Sequence, residues 1–195
     1  MCKRYRLVIT GTPGVGKHSA ALLVAKKLRG SEIIDINKVA FGHGAFLKNV
    51  KGETTDEVNI KKLTRFIEDE SESKDRCIII GHLAPYVVNP RKVSLVAVLR
   101  RSPYHLSSTL AERGYTTKKI NDNVVSEILD ICLSDTLKVF GVAKTTEIDT
   151  SEKSLQKVAD IIISTLRKNR KRNIGITDWI SLIRKKGDMA KFLQL

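Results

Sequence analysis

Aromatic side chains are scarce in this chain: Phe, Trp and Tyr make up 5% of its 195 residues. The interior must therefore be built from Ile, Val, Leu and Ala. No apolar run is long enough to span a bilayer. The longest, Cys77 to Ile80 and Leu95 to Leu99, suit buried parallel strands. The opening residues, MCKRYRLVIT, run straight into a strand pattern and show no signal-peptide core. Cysteine is also sparse. Cys2, Cys77 and Cys132 give neither an even disulfide set nor a metal-ligand spacing, so a reducing cytoplasm is the expected compartment. Cys77 reads as a small core residue. Carboxylates are in deficit, 21 against 35 Lys and Arg, for a net charge of +14. An apolar fraction of 42% excludes a disordered chain, and the length allows one sizeable core.

The most informative segment that is present is GTPGVGKHS, Gly11 to Ser19. It follows the apolar run Leu7-Val8-Ile9 and opens a stretch in which Ala21, Val24, Ala25 and Leu28 recur at helical period. Gly11, Gly16 and Lys17 fit the phosphate-loop pattern G-x-x-x-x-G-K-[ST]. Glycines let successive backbone N–H groups curl into a nest, and the following helix aims its free N–H groups at the same point. Gly14, Gly16 and Lys17 are thus candidate ligands of ATP phosphates, with Lys17 as the point charge on the outer ones. The position that should offer a hydroxyl to magnesium carries His18, and Ser19 comes one residue late. His18 is either a packed or solvated histidine, or a contact to phosphate or metal-bound water. Ser19 lies about 100° further round the helix and is a candidate for an inner phosphate.

Strand and helix patterns alternate, which predicts a three-layer α/β domain with a parallel sheet. Strands are expected over 5–10, 32–36, 76–81, 93–99 and 144–148. Residues 37–55 carry Gly42, Gly44 and Gly52 and few regular signals, so they read as an insertion or flap. Residues 56–70 are expected to be helical. Ser102-Pro103 starts a helix, broken at Arg113-Gly114-Tyr115. The next helix carries Ile120, Val124, Ile128 and Ile131 on one face. Leu155, Val158, Ala159, Ile162, Ile163 and Leu166 make the most regular stripe. Two short helices started by Thr177 and Asp188 end the chain, and the apolar edge Trp179, Ile180 and Ile183 is expected to fold back onto the domain. About half of the excess positive charge follows Leu166, where nine cations face two carboxylates. That stretch is either a solvated helix end or the contact for a second anionic partner. A nucleotide site needs little of this charge, which points to RNA.

Five segments together carry a family resemblance: GTPGVGK, the strand ending Gly81-His82-Leu83, VLRRSPYHL, LAERGYTTKKINDNVVSEI and TEIDTS. In this order they resemble the adenylate kinase isoenzyme 6 family, small P-loop nucleoside monophosphate kinases that also act in small-ribosomal-subunit assembly. The resemblance spans about 7–163. It implies a five-stranded doubly wound sheet in a kinase-like domain over 1–170, with an acceptor-binding (NMP) segment at about 35–58 and a lid at about 112–122. Residues 171–195 form a basic extension. It also implies ATP and AMP as substrates, magnesium accompanying ATP with no protein ligand of the metal assigned, and a ribosomal protein and rRNA as partners. Arg113 would contact the triphosphate, Lys153 would lie near the base, and Asp35 and Asn37 would face the acceptor. His82 would order water for ATP hydrolysis. The case for Arg113 also stands alone, since a guanidinium fork matches the equatorial oxygens of a transferring phosphoryl group. Arg100 and Arg101 end a strand where α/β proteins bind ligands, and one of them is a candidate phosphate contact.

Three positions depart from the family pattern: His18 replaces the loop hydroxyl, Ile80 an acidic residue, and Thr109 an arginine of the lid helix. Three readings follow. The chain is a kinase of the adenylate type with ATPase activity, a nucleotide-switched ribosome-assembly factor, or a binding module that has lost catalysis.

Overall fold

The computed structural model describes residues 4–47 and 57–193. Part of the expected acceptor segment, and Cys2, fall outside them. Seven strands are described: β1 (Tyr5–Thr10), β2 (Glu32–Asp35), β3 (Phe46–Leu47), β4 (Glu57–Val58), β5 (Arg76–Ile80), β6 (Leu95–Arg100) and β7 (Thr145–Asp149). β3 and β4 form a small antiparallel pair, while the other five make one parallel sheet ordered β2-β5-β1-β6-β7. This is the parallel sheet expected from the alternating pattern, with the five strands that the resemblance implies.

The strands read as continuous apolar runs because both faces are covered. On β1, Leu7 and Ile9 join one core while Val8 joins the other. The first core takes in α1 (Lys17–Lys27), α5 (Pro103–Glu112), α6 (Thr117–Ile128) and α8 (Leu155–Leu166) through Val24, Leu110, Val124 and Ile162. The second takes in α2 (Ile36–Gly42), α3 (Ile60–Glu72), α4 (Ala84–Val87) and α7 (Ile131–Phe140) through Val39, Leu63, Val87 and Leu133. Cys77 is fully buried there, as its place in a strand suggested.

Three expectations are corrected. Ile36–Gly42 is a helix, started by the Asp35 carboxylate accepting from the Asn37 N–H, and not an irregular flap. The helix after Gly114 breaks at Asp130 (φ 56°), so Ile131 starts a new helix and is largely exposed instead of lying on one stripe with Ile128. Near the C-terminus, Asp178 caps α9 (Trp179–Lys185) by accepting from Ser181 N, leaving the Thr177 hydroxyl free for another partner. The edge of α9 does fold back. Trp179, Ile183 and, from α10 (Met189–Leu193), Phe192 are buried in the first core.

Candidate active site

At the carboxyl end of β1 the chain turns back sharply between Gly11 and Gly16. Gly11 has φ 136°, and a Cβ there would stand 2.3 Å from the Leu99 carbonyl oxygen. The backbone of the loop can therefore lie against β6 only without a side chain. Gly16, at φ 96°, hands the chain to α1, whose first N–H groups are unpaired within the helix. The Lys17 ammonium folds back over the loop and donates to the carbonyls of Gly11 at 2.8 Å and Thr12 at 3.0 Å. Burial pushes it down to about 8; Cys132 and Glu127 pull the other way, and the charge on Arg113 adds to the fall.

An open cleft of about 730 Å³ lies over this loop. The loop contributes Pro13, Gly14, Gly16, Lys17, His18 and Ser19; the end of β5 contributes His82; α2 contributes Asn37. Arg113 also lines it, with Tyr115, Lys119, Asp122 and Asn123 of the following loop and α6. Lys119 sits 4.8 Å from the Tyr115 ring centroid, which holds that face together. Sequence reasoning singled out Arg113 here; the expected lid, 112–122, takes in Tyr115, Lys119 and Asp122 without naming them, and leaves out Asn123. Their signal was the spacing 115, 119, 122, 123, one helical face read from Tyr115.

His82 reaches the cleft because Gly81 precedes it at φ 154°; a Cβ at Gly81 would lie 2.8 Å from Ile36 Cβ. Burial, then the Lys17 charge, push the His82 imidazole down to about 4, so it is neutral at pH 7. His18 is more than half exposed, and its Nε2 lies 3.1 Å from Asp35 Oδ2. Asp35 is thereby placed beside the loop, though its carboxylate also caps α2. Lys153 is exposed and does not line this cleft. Ile80 is packed in the first core, and the Thr109 hydroxyl bonds the His105 carbonyl within its own helix.

Arg100 was a candidate phosphate contact and is not one. It is 1% exposed, donating to Glu127 Oε1 at 2.7 Å, to Glu147 Oε1 at 3.0 Å and to Asp130. Two buried carboxylates on neighbouring elements draw the guanidinium under the sheet end. Arg101 turns its backbone N–H to the same Glu127 oxygen.

Among the described residues, no three or more His, Cys, Asp or Glu side chains converge as metal ligands. Nearest the loop are the Ser19 hydroxyl and the Asp35 carboxylate, which already holds His18 and the α2 backbone, and Asp122 lines the same cleft. Magnesium retains several waters and shares phosphate oxygens. This donor set suits an ion that arrives with a triphosphate as part of the substrate.

The sheet order, the glycine loop after β1 and the helix that it opens define a P-loop nucleoside-triphosphatase fold. Shikimate kinase from Acinetobacter baumannii has the same fold, with a TM-score of 0.59 over 88% of this chain and 97% of that one at 16% identity. A gluconokinase from Sinorhizobium meliloti superposes with a TM-score of 0.56 over 87% of this chain and 95% of that one, at 14% identity. In sequence, residues 7–130 match the family described as AAA domain. A protein of Pyrococcus abyssi named "Putative adenylate kinase" is 37% identical over 89% of this chain and 90% of its own length. One of the same name from Methanocaldococcus jannaschii is 33% identical over 89% and 92%. The chain belongs to the family of these archaeal proteins. Among the described residues no helix is long and apolar enough to cross a membrane.

Proposed function

We propose that this chain is a nucleoside monophosphate kinase of the adenylate type, moving the γ-phosphoryl group of magnesium-ATP to AMP. The observation that carries this reading is the convergence of Lys17, the Gly14–Gly16 backbone, His82 and Arg113 around one cleft. ATP lays its phosphates along the loop amides and the start of α1, with Ser19 within the same turn. Lys17 exchanges two carbonyl contacts for phosphate oxygens, which relieves a cation whose charge burial disfavours. Arg113, in the same cleft, offers its guanidinium to the equatorial oxygens. Asn37 and Asp35 present the acceptor from α2, and His18 is tethered to Asp35 at the seam between the two nucleotides. An anionic phosphate oxygen of AMP attacks γ-phosphorus, the bond to the β,γ-bridging oxygen breaks, and two ADP molecules result. No general base is needed, because the nucleophile is already ionised. Positioning and charge do the chemistry.

With water in place of AMP the same site hydrolyses ATP slowly. A neutral His82 beside the phosphates can hold that water through an unprotonated ring nitrogen. A coupled assay with ATP, AMP and magnesium tests the reading. Turnover is expected, and it should fall by about 10²–10³ in Lys17→Met. Turnover indifferent to that substitution would place the chemistry elsewhere.

A second reading is favoured by one specific observation, the run of cations from Arg167 to Arg172 on a chain of net charge +14. In this reading the nucleotide cycle gates a grip on rRNA and a small-subunit ribosomal protein in the cytoplasm. Association with small-subunit precursors that weakens steeply with salt supports it, since each phosphate contact releases counterions. No association at low salt removes it.

A further inference from the structure

Glu127 lies on α6 outside the cleft lining, and the proposed chemistry does not use it. Its side chain is 1% exposed, and four donors converge on it from three separate parts of the chain. Oε1 accepts from Arg100 Nε at 2.7 Å, from the Arg101 N–H at 3.1 Å and from the Trp179 indole N–H at 3.1 Å. Oε2 accepts from the Thr12 hydroxyl at 2.5 Å. Thr12 belongs to the phosphate loop, and its carbonyl oxygen in turn receives the Lys17 ammonium. A continuous string of hydrogen bonds thus joins the first residue of α9 to the cation that faces the phosphates.

A second carboxylate ties down the approach to α9. Glu147 accepts the N–H groups of Gly175 at 2.7 Å and Ile176 at 3.0 Å, and the Thr177 hydroxyl at 2.6 Å. Arg100 bridges it to Glu127. In a dry site such bonds polarise one another, and a buried carboxylate that loses a donor pulls harder on those that remain or shifts towards a new one.

We propose that Glu127 is a positioning residue for the phosphate loop, and that the C-terminal segment around Trp179 controls how well it performs that role. Docking of Trp179 and filling of the loop by ATP favour each other. The reason is geometric. When Lys17 leaves the Thr12 carbonyl for phosphate, the Thr12 hydroxyl on Glu127 continues to hold that end of the loop. Glu127 can hold it in one place because Trp179 and Arg100 fix the other oxygen. The coupling is reciprocal by thermodynamic necessity. This inference rests on the assignment of ATP to the loop made above.

Trp179 is the only tryptophan in the chain, so its emission reports on one place, the core site where its indole N–H meets Glu127. The test titrates the full chain with a magnesium complex of a non-hydrolysable ATP analogue, following calorimetric heat and Trp179 emission together. Both signals are expected to saturate at one midpoint. Thr12→Val keeps the side-chain volume and removes the hydroxyl; it should weaken binding about fivefold or more and abolish the emission change. Trp179→Phe should weaken binding by a similar factor, and the double variant should lose little beyond either single one. Thermal melts of each variant separate this from general unfolding. Heat without an emission change, an undiminished emission change in Thr12→Val, or fully additive losses in the double variant would each overturn the coupling alone. No heat at all would overturn the nucleotide assignment and the coupling with it.

Discussion

Two charge centres, one at Arg100 and one at Lys17, are linked through Glu127 and Thr12, and they are built on opposite principles. Around Arg100 every charged group has hydrogen-bond partners: Glu127, Glu147 and Asp130 surround the guanidinium, and Glu127 and Glu147 also accept from Thr12, Trp179, Gly175, Ile176 and Thr177. At Lys17 the ammonium rests on two neutral carbonyls, and burial lowers its pKa. A saturated centre holds elements together. An undersupplied one has donors to offer an anion, as the proposed function requires. The difference marks Arg100 as structural and supports the proposed role of Lys17 as a phosphate-facing cation.

The sharpest way to break this contrast is to remove one charge from each centre. Arg100→Met leaves Glu127 and Glu147 buried without their shared cation, so chemical denaturation should register a loss of about 3–5 kcal/mol. Lys17→Met should do the reverse. It removes a cation that is costly to bury, so stability at pH 7 is expected to hold or rise, while phosphoryl transfer falls by about 10²–10³. Equal destabilisation by both substitutions would erase the distinction.

A pH series sharpens the same point. With its folded pKa near 8 against an ordinary 10.5, Lys17 is charged at pH 7 and sheds its proton as pH passes 8. ATP affinity should therefore be level up to about pH 7.5 and then fall by up to about tenfold per unit. The linkage to folding has the opposite sense. The penalty for burying the ammonium is complete below pH 8 and shrinks between 8 and 10.5, so this group adds stability as pH rises through that window. His82, near 4, should add no inflection between pH 5 and 8. Smaller effects are expected at the periphery. Asp178→Ala removes the cap of α9 and should lower the melting temperature slightly in thermal denaturation. Arg4→Ala breaks an ion pair with Asp75 in which both side chains are mostly exposed, and should cost between zero and about 1 kcal/mol.

Much of the fold was legible because its signals are local. The apolar runs of β1, β5 and β6 and the stripe of α8 name their own elements, and Gly11, Gly16 and Lys17 name the loop. The short helix Ile36–Gly42 was not legible, because it is started by one capping carboxylate within a stretch otherwise marked by glycines. The break at Asp130 rests on a left-handed backbone at a non-glycine residue, which sequence period does not announce. The site was legible where chemistry is carried by a compact motif and illegible where it is assembled. Arg100 sits at a strand end where ligands commonly bind, and nothing local distinguishes it from a phosphate ligand. Glu127 and Glu147, 27 and 47 residues further on, decide the matter. His18 departs from the loop pattern in sequence, and only the structure supplies its partner, Asp35.

The most direct trial of the central claim is calorimetric titration of magnesium-ATP at pH 7 into the native chain and into Lys17→Met. The account predicts saturable one-to-one binding to the native chain and a large loss of affinity in the variant. Equal affinity for both, or no binding by the native chain at millimolar nucleotide, would contradict it.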